Sequence, residues 1–264
     1  MTLTVKNVLD RLMEPVDQIQ NTVDMLKFGH PNMEVKGIAT TFMATQQVIE
    51  RTIDLGVNLL ITHEGLFYSH IDNPELWEES TVFSEKRRII RESGLSIYRF
   101  HDYVHRYEPD GIMAGLIEAL EWKAFIEKDT PTSTIVKIPP MSVRKIAEYV
   151  KDKLEIQFVR TVGELSDTCT RIGLLAGYRG GGTLSIPLFE KEDVDLIISG
   201  EGPEWETPEF VRDAVYQGKR KALIVLGHAE SEAPGMKYLA KWIQSEFPGI
   251  PVHFIPEKPL FKVV

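Results

Sequence analysis

Short apolar runs alternate with amphipathic segments along the chain, and this alternation predicts an α/β fold. The runs are rich in β-branched and other apolar residues and too short for helices, which is typical of buried strands. They cover residues 36–42, 57–62, 95–100, 134–138, 156–160, 171–176, 194–199, 221–227 and 251–255. Repeated alternation of strands and helices predicts mixed sheets covered by helices.

The segments between these runs predict the helices and several of their ends. The N-terminal helix carries one apolar face, formed by Val5, Val8, Leu9 and Leu12. Further helices are predicted over residues 45–55, 84–93, 109–120, 142–154, 208–217 and 235–246. In the first of these, Ile53 is expected on the buried face with Val48, Ile49 and Thr52. Gly56 and Gly94 are expected to end two helices, and Ser142 to cap another.

Two segments resemble each other and predict an internal duplication. In 57-VNLLITHEG-65 and 194-VDLIISGEG-202, most positions are identical or conservatively exchanged. The strand that follows each segment ends in a histidine, with a second polar residue four positions later: His101 with His105, and His228 with Glu232. This order favours two intertwined repeats, residues 1–130 and 131–264, over chance similarity between two buried strands. The boundary is expected within residues 127–135, where polar residues and proline cluster.

Histidines at strand ends predict a metal site, because ligands of α/β sheets gather beyond the carboxyl ends of strands. His63, His101 and His228 follow predicted strands. A spacing of four residues, as in His228 and Glu232, places two side chains on one helical face where both can bind one cation. Imidazole with carboxylate favours Zn, Mn, Fe, Co or Ni. These three histidines and His105 form the candidate cluster, and the remaining three, His30, His70 and His253, are expected to be ordinary core or surface residues.

Net charge, apolar runs and cysteine content argue against several classes of function. The net charge of −9 argues against nonspecific binding to nucleic acid or to an anionic membrane. The chain has no apolar run long enough to span a membrane, and its N-terminus does not resemble a secretory signal. The single cysteine, Cys169, excludes an intramolecular disulfide and fits a reducing compartment. A cytoplasmic location is therefore expected, and Cys169 is given no role.

The motifs 61-ITHEGLFY-68 and 227-GHAESE-232, with 101-HDYVH-105 and 199-SGEGPEW-205, resemble the Nif-three-like family. Its members are often described as GTP cyclohydrolase 1 type 2 homologues. The resemblance covers nearly the whole chain in order and lacks the middle domain of longer members. It implies two intertwined α/β repeats, a toroidal homohexamer and two divalent metal ions in each subunit.

The resemblance also implies a set of metal ligands: His63, Glu64, His105, His228 and Glu232. The family usually has two adjacent histidines where this chain has His63 and Glu64, and an aspartate at the position of His105. The exchange of one imidazole for one carboxylate is complementary, so a retained pair of metal ions bridged by Glu232 is expected. The alternative is a relative that has lost one or both ions.

Two functional interpretations stay open at this point. One is metal-dependent hydrolysis of a small anionic molecule such as a nucleotide, since divalent cations attract anions and acidify bound water. The other is a non-catalytic metal-binding hexameric scaffold or regulator. In the hydrolase, Glu201 is a candidate general base and His101 a candidate proton shuttle or orienting partner. A solvated or helix-capping carboxylate and a structural histidine are the alternatives. The loop 177-GYRGGG-182 is expected to be a tight turn rather than a phosphate cradle.

Overall fold

The computed structural model describes residues 2–264 and contains two mixed β-sheets flanked by helices. The α-helices are α1 Val5–Met13, α2 Gln46–Asp54, α3 Thr81–Ser93, α4 Asp102–His105, α5 Gly111–Ala119, α6 Val143–Leu154, α7 Gly182–Glu190, α8 Thr207–Tyr216 and α9 His228–Glu246. The strands are β1 Met25–Phe28, β2 Ile38–Thr41, β3 Leu59–Thr62, β4 Ser96–Arg99, β5 Ile126–Asp129, β6 Thr134–Ser142, β7 Arg160–Val162, β8 Thr168–Leu175, β9 Leu196–Ser199, β10 Ala222–Val225 and β11 Val252–Phe254. The predicted α/β class with mixed sheets is therefore confirmed.

The chain divides into two compact units. The first contains the described residues up to Gly111 together with Met236–Lys262, and the second contains Ile112–Gly235 with Val263–Val264. These units follow contacts in space, whereas the proposed repeats, residues 1–130 and 131–264, follow similarity in sequence. The duplication itself stays a prediction.

The first unit is built on a five-stranded sheet in the order β1-β4-β3-β2-β11. Strands β4, β3, β2 and β11 are parallel, and β1 joins β4 in the antiparallel direction. In the pair β3–β4, Leu59 lies opposite Ser96 and Thr62 lies opposite Arg99. The residues that follow Thr62 and Arg99 therefore emerge together at one edge of the sheet.

The second unit is built on a six-stranded sheet in the order β5-β6-β8-β9-β10-β7. Its central strands β8, β9 and β10 are parallel, and antiparallel strands lie on both sides of them. Ser199 at the end of β9 lies opposite Val225 at the end of β10. This sheet thus also brings the ends of neighbouring parallel strands to a common edge.

Both cores are made by the apolar strands and by one face of each covering helix. The parallel strands β2, β3, β4, β9 and β10 are buried at every position, as expected for strands covered on both faces. The N-terminal helix buries the predicted face, namely Val5, Val8, Leu9 and Leu12. Helix α3 ends at Gly94, which takes the left-handed conformation with φ of 69° and closes the helix as predicted.

Several predicted boundaries are wrong, for identifiable reasons. Strand β7 lies at Arg160–Val162 rather than over residues 156–160, because it pairs with β10 at the sheet edge. Helix α9 begins at His228 rather than at residue 235 and continues through Pro234. Its Gly235 packs so closely on α5 that a Cβ there would lie 2.5 Å from Ile112 Cα.

Three further corrections concern single positions and edge strands. Ile53, expected on the buried face of α2, is 41% exposed. Strand β8 begins at Thr168 rather than at residue 171 and so includes Cys169, where burial raises the pKa of the thiol to about 12. Strands β1 and β5 were not predicted, since edge strands in antiparallel pairing bury little apolar surface and carry a weak apolar signal. Among residues 2–264, no helix has both the length and the apolarity that crossing a membrane requires.

Replacing Ser142 tests how far a local cap stabilises the second unit. Its hydroxyl accepts the backbone N–H of Lys145 at 3.3 Å and so caps α6. Ser142→Ala should lower the free energy of unfolding by about 1 kcal/mol, measured by urea denaturation. Ser142→Asp is the matched control, because a carboxylate retains the cap. Equal stability of the alanine variant and the wild type would show that the cap contributes nothing.

Candidate metal centre

His63 directly follows β3 and is fully buried. Its Nδ1 atom lies 3.1 Å from the carbonyl oxygen of Phe100, the residue that follows the neighbouring strand β4. Parallel pairing of β3 and β4 brings these two residues to the same sheet edge. The ring of His63 is therefore held in place by the backbone of the next strand.

Helix α4 places two more histidines at the same edge. Asp24 accepts the backbone N–H groups of His101, Asp102 and Tyr103 at 2.7, 2.8 and 2.9 Å, which fixes the start of this short helix. Burial raises the pKa of Asp24, and these three hydrogen bonds oppose the rise. Because α4 spans a single turn, His101 at its start and His105 at its end project from the same face.

The three rings of His63, His101 and His105 form one cluster. The ring centroids of His63 and His101 are 4.6 Å apart and the rings are stacked, while His105 lies 5.0 Å from His63 and 5.1 Å from His101. One nitrogen from each ring lies within 4.8 Å of the other two. Burial, and then the proximity of His63 and His105, lowers the pKa of His101 from 6.5 to about 4. His101 is thus neutral at physiological pH.

Carboxylates contact the Nδ1 atoms of His101 and His105, on the outer side of this cluster. The Nδ1 atom of His101 lies 2.9 Å from Asp102 Oδ1, and that of His105 lies 3.0 Å from Asp110 Oδ2. Asp110 is buried, so its contact with His105 is shielded from solvent. The rings of His101 and His105 therefore each have a fixed orientation with Nδ1 engaged by a carboxylate.

Glu64 is also buried, but its partners include a cation. Its Oε2 atom accepts a hydrogen bond from Arg99 Nη2 at 2.8 Å, and Arg99 is completely buried at the end of β4. Oε2 also lies 3.7 Å from His70 Nδ1, and Oε1 lies 3.6 Å from His101 Nε2. Glu64, His70 and His101 form a second group with metal-binding potential. His70, expected to be an ordinary core or surface residue, thus belongs to the neighbourhood of the site.

The second unit holds the remaining predicted ligands at the start of α9. His228 Nε2 lies 3.0 Å from Glu232 Oε2, and His228 Nδ1 lies 2.9 Å from Glu201 Oε1. Glu232 is buried, whereas Glu201 is 42% exposed. Ligands of one ion with bonds of about 2.1 Å are separated by roughly 3 Å. His228 and Glu232 therefore have the separation expected of two ligands to a single ion.

The loop 177-GYRGGG-182 forms the wall beside Glu232. Gly177 has a φ of 63°, and a Cβ there would lie 2.1 Å from Glu232 Oε1. Its N–H donates to Ser231 Oγ at 2.9 Å, and its carbonyl accepts the N–H of Glu201 at 2.9 Å. The N–H of Gly182 donates to Glu206 Oε2 at 2.7 Å. The loop is a tight 3-10 turn that positions carboxylates, in line with the interpretation favoured from the sequence.

The two units together carry His/Glu clusters that can hold metal ions. A family model described as Duf34/NIF3 (NGG1p interacting factor 3) matches residues 4–259. The chain belongs to this family. The resemblance that the motifs at residues 61–68 and 227–232 indicated is thereby confirmed, and these motifs contain His63, Glu64, His228 and Glu232.

Individual members of the Duf34/NIF3 family are distant in sequence. A GTP cyclohydrolase 1 type 2 homologue of Clostridium acetobutylicum is 24% identical over 228 residues, covering 83% of this chain and 80% of the relative. One of Pasteurella multocida is 25% identical over 228 residues, covering 81% and 82%. A Bacillus cereus protein related to NIF3 superposes with a TM-score of 0.80 at 14% identity, over 100% of both chains. A Staphylococcus aureus protein reaches 0.75 at 16% identity, over 99% of both. The structural likenesses establish the NIF3 fold.

The buried histidine cluster should make the metal-free protein sensitive to acid. The unfolded chain protonates His101 near pH 6.5, whereas the folded chain does so only near pH 4. The unfolded state therefore binds more protons in this window, and the free energy of unfolding should fall as pH falls from about 6.5 to about 4. Urea denaturation at several pH values in the presence of chelator measures this slope.

The variant His101→Gln should flatten that pH dependence, while His30→Gln, at an exposed position outside the cluster, should leave it unchanged. Identical slopes for wild type and His101→Gln would contradict the assignment of this acid sensitivity to His101.

Gly177→Ala should impair metal binding in the second unit. The new Cβ would displace the Glu232 carboxylate, and metal affinity should fall by at least about tenfold, measured by competition with a chromogenic chelator. Gly218→Ala is the matched control: Gly218 has a φ of 80° and no heavy atom within 4 Å of the added Cβ. Both variants should lose roughly 1 kcal/mol of stability from backbone strain. Equal metal affinities for the two variants would contradict a role for Gly177 in positioning Glu232.

Proposed function

We propose that this Duf34/NIF3 protein is a metal-dependent hydrolase of a small anionic substrate, most specifically a nucleotide. One observation carries the proposal. Four histidines of the candidate site each have Nδ1 within 2.9–3.1 Å of a protein oxygen: His63, His101, His105 and His228. Three of these oxygens belong to carboxylates and one to a backbone carbonyl.

This arrangement is the one found around histidines that bind metals. An outer oxygen that accepts the Nδ1 proton fixes the tautomer, orients the ring and makes Nε2 a better metal ligand. The donors fit a divalent transition ion, since imidazole with carboxylate suits Zn, Mn, Fe, Co and Ni. When bound, such an ion supplies positive charge for an anionic substrate and lowers the pKa of coordinated water.

The ligand set inferred from the sequence forms part of this proposal. His63 and His105 lie in the cluster of the first unit, and His228 and Glu232 lie together in the second. We propose that two ions are bound. The contact of Glu64 with Arg99 gives Glu64 a different environment, which is considered below.

Protein groups beside the ligands have separate roles in the proposed reaction. Glu201 contacts His228 Nδ1, which supports an orienting role for its carboxylate. Its 42% exposure also leaves it accessible to solvent, so its predicted role as general base is retained in the proposal. His101 is placed among the imidazoles rather than apart from them, and its proposed role as proton shuttle depends on whether it binds an ion.

GTP is the first substrate to test, because the relatives bear the name GTP cyclohydrolase 1 type 2 homologue. Net charge −9 makes a local cationic centre necessary for binding such an anion. A homohexamer is also proposed, on the resemblance noted from the sequence, and size-exclusion chromatography with light scattering tests it.

A nucleotide and phosphoester panel, run with and without added divalent metal, tests the hydrolase. We expect turnover that depends on metal and falls by at least about 100-fold in Glu232→Gln, because this buried carboxylate contacts His228. The control Glu190→Gln alters an exposed carboxylate on α7 and should keep full activity.

Equal rates for Glu232→Gln and the wild type would show that this site does not catalyse the reaction. Stoichiometric metal without turnover on any substrate of the panel would instead favour the scaffold interpretation.

A further inference from the structure

We propose that His63, His101 and His105 together bind one divalent transition metal ion, with the Glu64–Arg99 ion pair beside it. This inference deepens the proposed function, since it assigns ligands of an ion on which that function rests. It adds His101 to the ligands inferred from the sequence and groups it with His63 and His105.

The geometry of the three rings supports a shared ion. Each ring contributes a nitrogen, and these three atoms lie within 4.8 Å of one another. Two separate elements fix these rings: β3 and the contact with Phe100 fix His63, and α4 fixes both His101 and His105. Bonds of about 2.0–2.1 Å from a zinc ion to three nitrogens require only small movements from such a starting arrangement.

All three rings use the same nitrogen for their outer contact. Nδ1 is engaged by Phe100 O, Asp102 Oδ1 and Asp110 Oδ2, at 3.1, 2.9 and 3.0 Å respectively. Nε2 is consequently the metal-binding atom of each ring. An oxygen partner on the far nitrogen is nearly universal among histidines that bind metals, whereas a histidine with a structural role does not require one. Its presence on all three rings therefore favours metal binding.

The Glu64–Arg99 pair sets the charge beside the cluster. The side chain of Arg99 is completely buried, and Glu64 Oε2 accepts a hydrogen bond from its Nη2 at 2.8 Å. The guanidinium also donates to the carbonyl oxygens of His63 and His70. Moving this carboxylate oxygen away from a buried cation would be strongly unfavourable. Three imidazoles are by themselves a sufficient set of protein ligands for an open zinc site.

A second set of donors competes with this assignment and is less suitable. Glu64, His70 and His101 also bring their donor atoms within 4.8 Å. However, the side chain of His70 is 57% exposed, and its Nδ1 lies 3.2 Å from Arg99 Nη2, so a cation already occupies that side. An ion placed there would face the guanidinium directly and be repelled by it.

Three neutral imidazoles have a chemical consequence for the bound ion. They cancel none of its charge, and the Glu64–Arg99 pair adds no net charge. The direct ligands therefore cancel none of the ion's charge, and the carboxylates of Asp102 and Asp110 act on it only through the rings, which favours an anionic ligand in its open coordination position.

Metal binding to the full-length chain tests the assignment without substrate. His228→Gln combined with Glu232→Gln removes the ligands of the second unit, and this double variant should still bind one Co²⁺ or Zn²⁺ per chain. X-ray absorption of the zinc form should show three imidazoles. Adding His101→Gln or His105→Gln should leave two imidazoles and weaken binding by at least about tenfold.

His70→Gln in the same background is the matched control and should change affinity by less than about threefold, since His70 belongs only to the competing set. If His70→Gln weakens binding as much as His101→Gln while His105→Gln has no effect, the assignment is overturned. Failure of the double variant to bind any ion would overturn it too.

Histidine-ring NMR of the wild type, titrated with Zn²⁺, tests the assignment even if the variants fail to fold. Resonances of His63, His101 and His105 should shift together, and an unshifted His105 would refute the assignment. Because these readouts need no substrate, absence of hydrolysis would defeat the proposed function and leave the three-histidine site intact.

Discussion

In-register pairing of parallel strands is the constraint on which the candidate site depends. Thr62 lies opposite Arg99 across β3 and β4, so the residues that follow these strands leave the sheet side by side. His63 and His101 therefore meet although they are far apart in sequence. In the second unit, β9 and β10 are paired in the same way, and Glu201 and His228 make contact after them. A shift in register would separate these side chains, which gives the buried apolar strands a direct part in the chemistry.

A buried charge imposes the second constraint. Arg99 is inaccessible to solvent, and removing one partner of such a pair typically costs about 3–5 kcal/mol. Glu64 supplies the carboxylate, and the carbonyls of His63 and His70 satisfy other parts of the guanidinium. The glutamate beside His63 is thus tied to an arginine at the end of the neighbouring strand. The ion pair with Arg99 therefore accounts for a glutamate at position 64 as much as binding of a metal ion would.

The sequence predicted the parts of the site that depend on local patterns. Apolar runs gave the strands, and a spacing of four residues placed His228 with Glu232 and His101 with His105, because both relations act within one element. The prediction was weaker for edge strands, which bury little apolar surface, and β1 was missed for this reason.

Contacts between distant segments could not be predicted from local sequence patterns. Nothing in the run that contains His70 indicates that it faces Glu64 and Arg99, since the segment has neither helical nor strand periodicity. The pairing of Asp110 with His105 likewise depends on how the chain turns after α4. Gly177 is required beside Glu232 because of a close approach that only the fold creates. Local sequence identifies candidate metal ligands, but it does not show which charged groups surround them.

Those surrounding charges distinguish the two groups of donors chemically. In the second unit, His228 lies between the carboxylates of Glu201 and Glu232, so an ion bound there would be partly neutralised. In the first unit, the carboxylates of Asp102 and Asp110 contact the far sides of the rings, and Arg99 balances Glu64. Carboxylates that act through an imidazole polarise it without occupying a coordination position. An ion in the first unit would therefore be neutralised less by its direct ligands than an ion in the second unit.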